Sequence, residues 1–100
     1  MKDLQDRQKR RATRTQRDTL DLALTDLIAF YRDVLALQLG SQVALANTDV
    51  RDALERIASG SKPERTLRRI EAITACRQAL DSNVAPLLAV EAMTMALRAG

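Results

Sequence analysis

The chain has 100 residues with no His, no Trp and a single Cys, and its 16 Lys and Arg exceed its 13 Asp and Glu by three. That length holds one domain at most. The composition excludes an internal disulfide framework, the usual zinc sites and any nucleophile paired with His, and an apolar fraction of 46% argues against wholesale disorder.

Ala, Leu, Arg and Asp dominate, while β-branched and aromatic residues are sparse. Ala, Leu, Arg and Glu lose little freedom in a helix, so an all-α fold is expected. No apolar segment of signal-peptide type follows the charged start, so no leader is expected. Arg32, Asp33, Glu91 and Arg98 interrupt the longest apolar stretches. No bilayer span and a cytoplasmic location are therefore expected.

Residues 1–19 carry seven basic groups and three acidic ones, a charge of +4. The remainder carries nine basic and ten acidic residues, so the basic excess belongs to this segment. Leu4 and Ala12 give it no repeating apolar face. It reads as a basic helical extension, with Lys9, Arg10, Arg11, Arg14 and Arg17 as a candidate basic patch. A solvated extension is one expectation and a nucleic-acid arm is another. A third is a helix whose packing partner lies outside this sequence. No aromatic residue interleaves the charges, so base stacking has no support.

Residues 20–100 read as one assembly domain. Leu20, Leu24, Leu27, Ile28, Tyr31, Leu35 and Leu39 follow the rhythm of an amphipathic helix. Ala23, Phe30, Val34 and Leu37 form a second stripe beside the first. The two stripes cover roughly 200° at about 100° per residue, more than one packing face needs. Neighbours on two sides are expected, with Asp21, Thr25, Asp26, Arg32 and Asp33 on the solvated remainder. Gly40 is expected to stop this helix.

Residues 41–48 read as a connector pinned by Val43 and Leu45. Asn47 or Thr48 is expected to cap a short helix over 49–59, with Val50, Ala53, Leu54 and Ile57 inward and Gly60 closing it. Ser61 and Glu64 have capping-box spacing around Pro63. The helix that follows should run to about Asp81, with Leu67, Ile70, Ile73, Cys76 and Leu80 inward. Its arginines, Arg65, Arg68, Arg69 and Arg77, read as a solvated face with local pairing, including Glu64 with Arg68. Cys76 reads as a small core hydrophobe.

Asn83 is expected to cap a last helix over VAPLLAVEAMTMALRAG. Apolar side chains lie almost all round it, so it should be buried in its domain or against a partner. Met93 and Met95 read as adaptable packing residues. The fold expected is an antiparallel bundle of about four helices with a long first one. The first and last helices display more apolar arc than two short neighbours can cover.

Catalytic patterns are absent. Gly40, Gly60 and Gly100 are isolated, so there is no phosphate loop. Carboxylates at helical spacing, such as Asp26 and Asp33, have nothing converging on them. No enzyme activity, cofactor or metal is expected.

Four strings occur in order: QKRRATR from Gln8 to Arg14, FYRDVLALQLG from Phe30 to Gly40, PERTLRRIEAI from Pro63 to Ile73, and NVAPLLAVEAM from Asn83 to Met93. Together they resemble the C-terminal end of the delta-prime subunit of bacterial DNA polymerase III, in its actinobacterial form. The resemblance covers nearly the whole chain. It implies a helical collar domain of a clamp loader, the assembly that opens a sliding clamp and loads it on primed DNA. The family's phosphate loop, zinc-binding cysteines and arginine finger have no counterpart here.

What the resemblance transfers is the collar role, for the apolar stripes of the first and last helices. Leu24, Leu27, Phe30, Tyr31, Val34, Leu88 and Met95 are the candidate partner-facing residues. The implied partners are other clamp-loader subunits, with only indirect or weak contact to DNA. Against the resemblance, the leading helices of the family's collar domain are missing from this sequence, so a homodimer is expected to cover the excess apolar arc. The alternative reading is a small free-standing basic protein that binds nucleic acid through residues 7–17.

Overall fold

The computed structural model describes residues 2–40 and 50–99. Four helices and no strands occur among them: α1, Lys2–Gln38; α2, Arg51–Gly60; α3, Pro63–Asp81; and α4, Pro86–Ala99. At 1.5 Å per residue α1 is about 55 Å long, and it sets the long axis of a molecule measuring 58 × 28 × 18 Å. The basic segment and the apolar segment are one continuous helix, with no break at residue 20.

α3 packs against both α1 and α4, and α2 packs against α1. The direction of α3 follows from two side-chain ties. Gln38, at the end of α1, meets Thr66, near the start of α3. Asp21, a little over halfway along α1, meets Arg77, near the end of α3. The two helices are therefore antiparallel. α3 is about 28 Å long and covers only the second half of α1, so most of the basic half projects beyond it.

The main core joins three helices. Leu24 and Ile28 from α1 meet Ile73, Cys76 and Leu80 from α3 and Ala89 from α4, with Leu27, Tyr31, Ile70 and Met93 around them. A second buried region lies where α1, α2 and α3 meet: Val34, Leu54 and Thr66 have no exposure. Burying a Leu or Val side chain fully contributes about 1.5–3 kcal/mol. The expected neighbours of α1 on two sides are thus α3 and α2.

Several expectations need correction. Asp33 is buried rather than solvated, because it falls at i+3 from Phe30 and i−4 from Leu37, inside the second apolar stripe. Leu39 is exposed, since the helix has ended and Gly40 turns the chain with φ 69°. Ala23 is also exposed. On α3 Leu67 is exposed and Thr66 buried. The inward face of α3 runs Thr66, Ile70, Ile73, Cys76/Arg77 and Leu80, one position off at its first turn.

Capping also differs from expectation. Ser61 does not cap α3. Its hydroxyl donates to the Ile57 carbonyl at 3.1 Å, and Lys62 occupies the N-cap with Pro63 next to it. Asn83 closes α3 instead of opening α4. It is left-handed at φ 65°, its N–H donates to the Leu80 carbonyl at 3.2 Å, and the Val84 N–H donates to Ala79 at 3.0 Å. That pair of bonds is a Schellman closure. α2 begins at Arg51, and Val50 is exposed at its N-cap. The proposed caps Asn47 and Thr48 and the anchors Val43 and Leu45 lie outside the described residues.

Candidate functional site

α4 docks on a narrow side only. Pro86 and Ala89 are buried, and Val90, Met93 and Leu97 are half-buried. Leu87, Leu88 and Met95 are 71%, 60% and 71% exposed, so an almost wholly apolar helix leaves its outer face open. Alongside that face runs a groove between α3 and α4 with a volume of about 180 Å³, lined by Ala72, Ala79, Val84, Leu88, Ala92 and Met93 among others. Small side chains on both helices keep the two backbones close and leave the groove shallow. Cys76 is at its floor. Burial pushes the thiol above its ordinary value, so it stays protonated and unreactive.

The structure separates the candidate partner-facing residues into three groups. Leu24 and Val34 are core residues, at 4% and 0% exposure, and cannot meet a partner, because α3 and α2 already cover their stripes. Leu27, Phe30 and Tyr31 are half-buried. Leu88 and Met95 remain on the open surface. Leu87 is exposed too, but it lies about 80–100° round α4 from them with Glu91 and Arg98 between, and Leu22 is a further exposed apolar side chain on α1. A signal for Leu22 existed: it lies out of phase with both apolar stripes.

Tyr31 has aromatic and cationic neighbours. Its ring meets Phe30 edge-on, with centroids 5.6 Å apart and planes at 85°. The Arg69 guanidinium lies 5.7 Å from the ring centroid, a cation–π distance. The ring borders an open cleft with Arg69, Ser61 and Leu97, where water reaches it.

The candidate basic patch does not stay a free tail. Lys9, Arg10, Arg14 and Arg17 line a cleft of about 630 Å³ with Asp18 and Asp21 and with Leu80, Asp81 and Asn83 from the end of α3. Arg11 is not among them. Beside the cleft Arg77 donates to Asp21 at 2.9 Å through Nε. That hydrogen bond, then the Asp21 charge, holds the Arg77 guanidinium above its ordinary value. Its pairing is across helices rather than local.

Among the described residues no group of His, Cys, Asp and Glu is placed to hold a metal ion, and no helix is long and apolar enough to cross a membrane. The open features are therefore an apolar strip on α4, at Leu88 and Met95, and a cationic cleft under α1. Residues 5–96 match the family described as DNA polymerase III, delta subunit, C terminal. The chain belongs to this family. No curated protein and no solved structure matches it. As a DNA polymerase III delta C-terminal domain it is clamp-loader-related and non-catalytic. Membership also implies association with other subunits of that loader.

Proposed function

We propose that this chain is a collar domain of delta-prime type, a cytoplasmic element that helps hold a clamp loader together by helix packing. The observation that carries the reading is the open strip of α4 on which Leu88 and Met95 are exposed side by side, on the most apolar of the described helices. An apolar patch of this kind marks a partner surface more often than free surface. A helix face presented to a groove in a neighbour is a recurring mode of recognition. Assembly through this face leaves the cationic cleft of α1 free.

Gel filtration of the chain with the remaining clamp-loader subunits tests the proposal. Leu88→Ser and Met95→Ser together are expected to abolish co-elution while leaving the urea midpoint of the chain unchanged, since both side chains are exposed. Co-elution that survives both changes overturns it. In the absence of other subunits the same face is proposed to pair with a second copy, most simply about a twofold axis. Sedimentation that finds only monomer at high concentration removes the homodimer and leaves the collar reading standing.

A further inference from the structure

We propose that the cleft between the basic half of α1 and the end of α3 binds the phosphate backbone of duplex DNA, independently of base sequence. Three observations carry the inference. First, among the described residues none of the four cations lining the cleft is in an ion pair. Asp21 is engaged by Arg77, so of the carboxylates lining the cleft Asp18, on α1 itself, and Asp81, from α3, are left to offset Lys9, Arg10, Arg14 and Arg17.

Second, Arg17 is half-buried, and its Nε is out of solvent with no hydrogen-bond partner. That Nε is enclosed by the protein itself, so the terminal amino groups of the guanidinium are the ones left for an incoming acceptor. A phosphate oxygen is an acceptor that a guanidinium fits well.

Third, the spacing suits a repeating anion rather than a single one. Arg10, Arg14 and Arg17 fall within about 60° of one another on the helix. From Lys9 to Arg17 the helix rises about 12 Å. One DNA strand presents a phosphate about every 3.4 Å along the axis, so this stretch faces about three. The nearest aromatic residues in sequence are Phe30 and Tyr31, so the site has no stacking platform and no means of reading bases. The cleft lies where α1 projects past the bundle, open to a long ligand.

Fluorescence anisotropy of the 100-residue chain with a labelled mixed-sequence duplex of about 20 base pairs tests this, with log affinity followed against log salt. The expected slope is about −3, from about 0.9 per phosphate neutralised. Arg14→Gln is expected to flatten the slope by about 0.9 and to weaken binding about eightfold near 0.1 M salt. Arg17→Gln should do the same, with circular dichroism confirming its helix content. Arg11→Gln removes the same charge outside the cleft and is expected to change affinity less than about twofold. A loss for Arg11→Gln equal to that for Arg14→Gln overturns the cleft as a site. Tighter binding of polyglutamate than of the duplex overturns DNA as its ligand, and so does a strong preference among duplex sequences.

Discussion

The Thr66 hydroxyl donates to the side-chain oxygen of Gln38 at 2.7 Å, joining residues 28 positions apart. The amide nitrogen of the same Gln38 donates to the Ser61 carbonyl at 2.8 Å and to the Ala58 carbonyl at 3.3 Å. One side chain at the end of α1 therefore satisfies a carbonyl at the end of α2, the loop carbonyl after it and a fully buried hydroxyl on α3. This places a polar tie where three helix ends converge, next to the buried Val34 and Leu54. It also fixes the register of α3 on α1, and with it the distance by which α1 overhangs the bundle.

Thr66→Val keeps the shape of the side chain and removes its hydroxyl. Gln38 Oε1 then loses the donor that the buried Thr66 supplied. The expected cost is about 1–3 kcal/mol, as for other buried groups left without a partner. Gln38→Ala should cost a similar amount, and the double variant less than the sum, because the two residues share one bond. Urea unfolding of the four chains measures the coupling, and strict additivity would show that the bond contributes nothing.

Asn83 at φ 65° gives a second test. The left-handed region costs most L-residues about 1–2 kcal/mol, and Asn tolerates it better than Ala. Asn83→Gly should hold or slightly raise stability, whereas Asn83→Ala should lower it by about 1 kcal/mol. In a domain of this size that corresponds to a fall in Tm of about 4–8 °C. Equal melting of the two variants would mean that the turn relaxes to another closure.

The legible part of the sequence was the part governed by periodicity. Leu24, Ile28, Ile73, Cys76 and Leu80 repeat at helical spacing and form the core. Polar residues were harder, because their burial depends on a partner far along the chain. Nothing near Thr66 announces that Gln38 will satisfy it, so apolar spacing alone favours Leu67 as the inward residue. Ser61 and Asn83 are residue types that favour N-caps, but each serves the end of the preceding helix. The basic segment was legible as charge, yet its cleft was not, since Leu80, Asp81 and Asn83 complete it from α3. The apolar excess of α4 is legible in its composition, but which side chains stay open, Leu88 and Met95 among them, depends on how α4 docks on α3.

Leu54 and Leu87 are the same residue type in opposite environments, at 0% and 71% exposure. Leu54→Ala removes a side chain that α1 and its surroundings enclose, and the cavity left should cost about 2–5 kcal/mol. Leu87→Ala should shift stability by less than about 0.5 kcal/mol. If the chain is a dimer through α4, Leu87→Ala instead lowers its apparent stability at high protein concentration only. Urea midpoints of both variants at two concentrations distinguish these outcomes.

Cys76 offers a test of the core that is linked to pH. In the unfolded chain its thiol ionises near about pH 8.5, whereas burial beneath α4 holds it protonated to higher pH in the folded chain. Below the unfolded value both states carry the proton, and the favourable burial of the neutral thiol is fully present. As pH rises through the unfolded value towards the folded one, only the unfolded chain gains from ionising, so stability falls. The urea midpoint of the native chain should therefore drop more steeply above about pH 8.5 than that of Cys76→Ala. The variant begins less stable because of its lost volume but has no thiol to ionise. The same burial should make native Cys76 slow to react with maleimide and fast once guanidinium unfolds the chain. Rapid labelling of the folded protein would mean that α4 opens readily from α3, and the pH difference between the two chains should then shrink as well.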